Sequence, residues 1–207
     1  MEGVDDVDKS ASFGLAHPRR STSSLGDSWA PRVVVLRATQ KVLRSLPVSG
    51  AANDASTSAL GDWYVNRIVI DRQPLLLLLS SKSLLAILEP ARNLKELPVR
   101  LSALVEGRLR QLPVSSHIIS CEITATRDVS VGTTIDRSVV GQMVDFAKAL
   151  TFYLPENWWG APDLREAEAR FAETPCRCSG ADKDVIWPER KAIQLLETTW
   201  PSSPRKH

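Results

Sequence analysis

The first core-forming pattern in the chain is a run of β-branched residues, "RVVVLRA" (32–38), which predicts a short buried strand. A loop-like stretch, "VSGAANDASTSALG" (48–61), separates it from "DWYVNRIVI" (62–70), where the pattern alternates. Trp63, Val65, Arg67 and Val69 fall on one side; Asp62, Tyr64, Asn66, Ile68 and Ile70 fall on the other. "DRQP" breaks the run, and "LLLLLS" (75–80) follows as a continuous apolar strand that needs cover on both faces. "SSK" reads as a turn into a further strand, "SLLAILEP", that Pro90 terminates. These three segments predict a meander. Trp63 and Tyr64, adjacent on a strand, cannot share one pocket: one is expected in the core, the other exposed or under the C-terminal helices.

The period then changes from two to about 3.6. Between Pro98, suited to a helix first turn, and Pro113, the residues Leu101, Leu104, Val105, Leu109 and Leu112 form an apolar stripe. Arg100, Glu106, Arg108 and Arg110 fall elsewhere on that wheel. "SSHIISCEITA" (115–125) is ambiguous. Its paired serines suit an N-cap and favour a helix, whereas its isoleucines favour a strand. "RDVSVGTT" alternates as a strand. "TIDRSVVGQMVDFAKAL" (134–150) is a helix with Val139, Met143, Phe146, Ala147, Leu150 and Leu154 on its apolar face. Two more helices are expected at about 163–173 and 187–198, the last with Ile193, Leu196 and Trp200 inward.

The pattern predicts an α+β domain: a small, mainly antiparallel sheet packed against helices on one face, with the C-terminal helices leaning on it. Residues 1–31, rich in Ser, Gly, Asp and Arg, read as a disordered arm; 32–155 form the core; 156–200 are a helical extension of the same domain; 201–207 are a frayed tail. Within the arm, "HPRR" is the one element with a binding reading, towards an acidic partner.

Composition changes this picture only by exclusion. With 26 basic and 24 acidic residues the net charge is +2, too small to argue for nucleic acid or an anionic membrane. The longest apolar run is far short of the ~20 residues of a spanning helix, and no signal-like segment is read at the N-terminus. Three cysteines, Cys121, Cys176 and Cys178, make no disulfide framework and fit free thiols in a reducing cytoplasm.

Two features of the helix over 134–150 exceed simple packing. Gly141 inside a helix costs about 1 kcal/mol relative to Ala, and such a glycine often admits a close approach. Arg137 at the helix start, beside free N–H groups, suits an anion or carboxylate. Against this, Asp136 or Ser138 reads as an N-cap, and Asp145 and Lys148 are spaced as a surface pair.

"LGDWYVNRI", "SKSLLAILEP", "DRSVVGQMVDFA" and "FAETPC", in that order, resemble an uncharacterised bacterial family labelled only as a domain of unknown function. Its pattern runs close to "LGDWYAN", "TLLPVLVP", "NRSVLGSMNDF" and "LADTPC", and the resemblance spans about residues 33–196. It implies no activity. It marks Leu60, Gly61, Asp62, Trp63, Tyr64 and Asn66, then Arg137, Ser138, Val139, Gly141, Met143, Asp145 and Phe146. The chain departs at Asp136 and Val144, where the family pattern has Asn.

Chemical motifs are sparse. No "GxSxG", P-loop or "GxGxxG" is present. "CRC" lacks a second ligand pair at zinc spacing, and His17, His117 and His207 are scattered. An Asp62–Asp145 acid–base pair would need the two carboxylates within several Å. Trp158 and Trp159 in "ENWWGAP" anchor either an interface or the C-terminal segment.

The expectation is a non-catalytic cytoplasmic module binding a protein partner or a small anionic ligand, with neither cofactor nor metal. Its candidate surface combines Asp62, Asn66, Arg137, Gly141 and Asp145. The alternatives are an enzyme, a hydrolase or transferase acting on an anionic substrate held by Arg137, and a nucleic-acid-associated regulator. The last requires Arg100, Arg108 and Arg110 to join in one exposed stripe.

Overall fold

The structure, a computed structural model, describes residues 33–47, 56–156, 158, 160–177 and 185–201. The arm 1–31, Trp159, Cys178 and the tail from 202 lie outside the described residues.

Five strands form one sheet in the order β4-β3-β2-β1-β5. β1 (Val33–Ala38) leads through a short helix α1 (Gln40–Leu43) to β2 (Trp63–Ile70), which lies parallel to it. β2, β3 (Gln73–Ser80) and β4 (Ala86–Pro90) are the expected meander, each antiparallel to the one before. The β2–β3 turn is Asp71–Arg72, both at positive φ (48° and 65°), the geometry of a two-residue hairpin loop that follows the strands' twist. A single 3₁₀ turn (Leu94–Glu96) precedes α2 (Leu97–Leu109) and α3 (Ser116–Ala125). β5 (Asp128–Thr133) then adds parallel to β1 at the far edge. α4 (Arg137–Tyr153) and α5 (Ala161–Glu173) follow, then two short paired strands, β6 (Cys176–Arg177) and β7 (Val185–Ile186), and α6 (Pro188–Thr199).

The α+β class stands, and the segment over 115–125 is a helix: Ser115 accepts the Ile118 N–H as its N-cap. The placement of helices on one face does not hold. The sheet is mixed and covered on both sides. One core joins Val34, Leu36, Trp63, Val65, Leu76 and Leu78 to α2, α3 and α6. The other joins Tyr64, Leu75, Leu77 and Leu79 to α4 and α5. The reason lies in β3. Leu75 through Leu79 are all fully buried, and a strand apolar on both faces is stable only between two layers. Trp63 and Tyr64 are accordingly both core, one in each layer.

Candidate functional site

The family motifs turn out to hold one another. Leu60 is buried, and Gly61 sits at φ +79°, where an added Cβ would collide with the Ser81 side chain. Ser81 and Lys82 donate their N–H groups to the carbonyls of Asp62 and Leu60, so the second motif clasps the first. Tyr64 Oη accepts the Asp136 N–H at 3.1 Å, linking the first motif to the third. Burial pushes the Tyr64 phenol above its ordinary value. Phe146 and Phe171 stack at 4.2 Å with 10° between rings, linking the third to the fourth. Such a pair is worth about 0.5–1.5 kcal/mol beyond the area it buries.

The five residues of the expected surface are positioned by this same architecture. Asp62 accepts from Arg37 Nε at 2.6 Å and from the Val35 N–H at 3.4 Å, fastening β2 to β1. Asn66 Oδ1 accepts from the Thr39 hydroxyl at 3.0 Å. Arg137, Gly141 and Asp145 follow one solvent-facing strip of α4, where Asp145 stands 3.9 Å from Lys148 with both side chains largely exposed. An added Cβ at Gly141 would meet nothing within 4 Å, so none of the described residues makes the close approach its glycine suggested. Asp136 caps α4, accepting from the N–H groups of Ser138 (2.8 Å) and Val139 (3.4 Å). Asp and Asn are comparably good N-caps, so the departure from the family pattern leaves the cap intact.

The basic residues of α2 do not form an exposed stripe. Arg100 is paired with Glu89, and Arg110 with Glu106 at 2.5 Å. Arg108, expected off the apolar stripe, is 4% exposed. It is drawn in because α5 closes over the edge strand β4, whose outward backbone groups need partners. Arg108 Nε donates to the Ala86 carbonyl at 3.2 Å, and Glu168 on α5 accepts the Leu88 N–H at 2.7 Å. Two side chains thus satisfy an edge that would otherwise invite another strand.

This arrangement leaves a cavity of about 240 Å³ between α2, β4 and α5. Arg108, Gln111, Glu89, Trp158, Arg165 and Glu168 line it, with apolar walls from Ile87, Leu104 and Leu164. Trp158 is buried, one half of the expected interface pair; Trp159 lies outside the described residues. Arg108 donates Nη1 to Gln111 Oε1 at 3.2 Å, but its Nη2 has no hydrogen-bond partner among the described residues. The same holds for Trp158 Nε1. Arg108 Nε stands 4.0 Å from Glu168 Oε2, too far for a hydrogen bond. Desolvation by burial holds the Glu168 carboxyl above its ordinary range, despite the Leu88 N–H and the charge of Arg108; Arg108 is lowered by the same burial. The pair therefore lies in a site that penalises both charges.

Glu122, on α3, is the other buried acid that sequence reading passed over. Its two oxygens accept from Ser58 Oγ (2.5 Å), the N–H groups of Ala59 (2.9 Å) and Leu60 (3.2 Å), and Trp200 Nε1 (2.8 Å). It pins the loop before β2 to the C-terminal helix. The one signal for either glutamate was its position, Glu122 four residues after Ile118 and Glu168 three before Phe171, on the apolar side of its helix.

Among the described residues no helix is long and apolar enough to cross a membrane. No protein of curated function matches the chain. Among solved structures, the chain is similar to the catalytic core domain of BIV integrase at 11% identity and a TM-score of 0.44, covering 67% of this chain and 97% of that one. A likeness of that size carries no argument about activity. A family model described as "Domain of unknown function (DUF6933)" matches residues 35–191, which takes in all four interlocked motifs and the whole of the Arg108–Glu168 cavity, and the chain belongs to that family.

Proposed function

We propose that this domain is a non-catalytic cytoplasmic binding module that takes a small molecule into the cavity between α2, β4 and α5. One observation carries the reading: Arg108 and Trp158 both line this cavity, and each holds a buried N–H, Arg108 Nη2 and Trp158 Nε1, that has no partner among the described residues. A buried donor left unsatisfied costs roughly 1–3 kcal/mol, more when charged, so a small side-chain shift that brings either donor to a ligand acceptor would recover that cost. The volume corresponds to about eight waters at ~30 Å³ each, which fits a ligand smaller than a drug-sized molecule. The described lining contains no serine, cysteine, histidine or lysine, and Glu89 is engaged by Arg100. That composition favours binding over nucleophilic or paired acid–base chemistry. Cys121 is a free thiol, in keeping with a reducing compartment.

The test is an NMR screen of the full chain against a library of small fragments, watching the indole N–H resonances and assigning Trp158 by its loss in Trp158→Phe. Fragments that move the Trp158 signal and saturate are the expected result. A library that moves other resonances but never Trp158 would sink the reading.

A further inference from the structure

We propose that the outer strip of α4 is a two-fold interface with a second copy of this chain, an inference independent of the cavity. The strip departs from an ordinary solvated helix face in two ways. Phe152 is 83% exposed, and Val144, which replaces the asparagine of the family pattern, is exposed with it. Gly141 lies in the helix interior, where glycine is a poor helix former, and none of the described residues packs closely enough to require it. Gly141, Asp145, Lys148 and Phe152 recur at i, i+4, i+7 and i+11, the spacing of one helix face, and all four are exposed.

Their order along that face is self-complementary. Gly141 and Phe152 lie equally far from the midpoint between Phe146 and Ala147, and so do Asp145 and Lys148. A two-fold axis at that midpoint runs a second α4 antiparallel to the first, and each contact then occurs twice. The partner copy's Phe152 ring comes against Gly141, where the missing Cβ lets it reach the helix backbone. Asp145 comes against the partner copy's Lys148. Within one copy these two side chains stand 3.9 Å apart and largely exposed, a pair of little worth in water. Across the axis the same charges close into a ring of four, which fixes register and orientation. Val144 lies beside the aliphatic stem of the partner copy's Lys148. Arg137, at the amino end of α4, meets the carboxyl end of the partner copy's helix, whose last carbonyls carry partial negative charge and are followed by the exposed Glu156. A parallel pairing would set Asp145 on Asp145 and Lys148 on Lys148, so charge selects the antiparallel one. α4 has 17 residues and is about 25 Å long, a contact at the small end of the interface scale. The dimer is therefore reversible, with micromolar affinity, and in dilute protein the strip stands free on each monomer.

The experiment is sedimentation velocity of the full chain across a low- to high-micromolar concentration series. A monomer–dimer equilibrium is expected. Phe152→Ser should weaken it about tenfold or more, as for loss of an aromatic anchor. Lys148→Glu sets two acids against each other on both sides of the axis and should weaken it by about as much. The charge arrangement supplies the specific readout. Asp145→Lys alone and Lys148→Asp alone should each dimerise poorly, whereas the double variant should regain wild-type affinity. An equimolar mixture of those two single variants should form heterodimers more tightly than either forms homodimers. All these side chains are exposed, and amide spectra check that each variant is folded. A chain that stays monomeric throughout the series would overturn the interface. So would a dimer indifferent to Phe152→Ser, or a double variant and a mixture that associate no better than the single variants.

Discussion

Glu122 and Glu168 are both buried acids on helices, and both accept backbone N–H groups from the sheet region, yet they have opposite finishes. Glu122 is saturated: four donors meet its two oxygens, and it closes a joint between the loop before β2 and Trp200. Glu168 is left open: one backbone N–H, an arginine at 4.0 Å, and a cavity beside it. Saturation is what a structural carboxyl needs, because every unmet valence in a dry site costs free energy. An unsaturated cluster of comparable burial, with two further donors unmet, is the arrangement the proposed ligand would complete. The comparison separates scaffold from site more sharply than burial or charge alone.

The largest expected effect is at the closed joint. Glu122→Ala leaves three donors without an acceptor, the Leu60 N–H keeping Ser58 Oγ, and should cost about 3–5 kcal/mol, by analogy with breaking a buried charged network, in chemical denaturation. A loss below about 1 kcal/mol would show that the joint is not closed as described. Next comes Arg108→Met, which removes the partner of the Ala86 carbonyl while filling similar volume. We expect a loss of about 1–3 kcal/mol without ligand, so the open cluster should prove cheaper to break than the closed one. If Arg108→Met costs as much as Glu122→Ala, the two sites do not differ in kind.

A pH series distinguishes them further. The carboxyl of Glu168 is held above its ordinary value of 4.5, so between that value and its raised one the folded chain binds more protons than the unfolded chain. Its contribution to stability is fully present below 4.5 and is lost as pH rises through the folded-state value. Wild type should therefore lose stability relative to Glu168→Gln as pH rises across that window. A difference between the two that is flat with pH would exclude a raised Glu168. The smallest effect is expected on the outer strip of α4. Gly141→Ala introduces a Cβ into open space and should stabilise the fold by about 0.5–1 kcal/mol, read as a melting point higher by a few degrees. A destabilised variant would mean that the strip is not free.

How far the sequence reaches is clear from particular elements. Local period and punctuation located β1 to β5, the helices α2, α4, α5 and α6 and the two faces of β2, and an N-cap rule chose helix for 116–125; the short α1 was not read. The family motifs were legible too, but their meaning was not. Gly61, Asp62, Tyr64, Asp136 and Phe146 look like a functional constellation in one dimension. In three they are fasteners between strands and helices, joined across as many as 72 positions of chain.

The sequence by itself determined the main strands and helices, though not α1, β6 or β7, and most of their buried apolar residues, because those follow from contacts within a few residues and from the apolar run of β3. Only the tertiary structure decided that helices cover both faces of the sheet, that Arg108 is buried rather than on a basic stripe, and that Arg108 and Trp158 line one cavity. Residue 108 on α2 and residue 168 on α5 are brought together by the need to satisfy the edge of β4. A helical wheel records the direction of a side chain and carries no information about which backbone edge will lie opposite it.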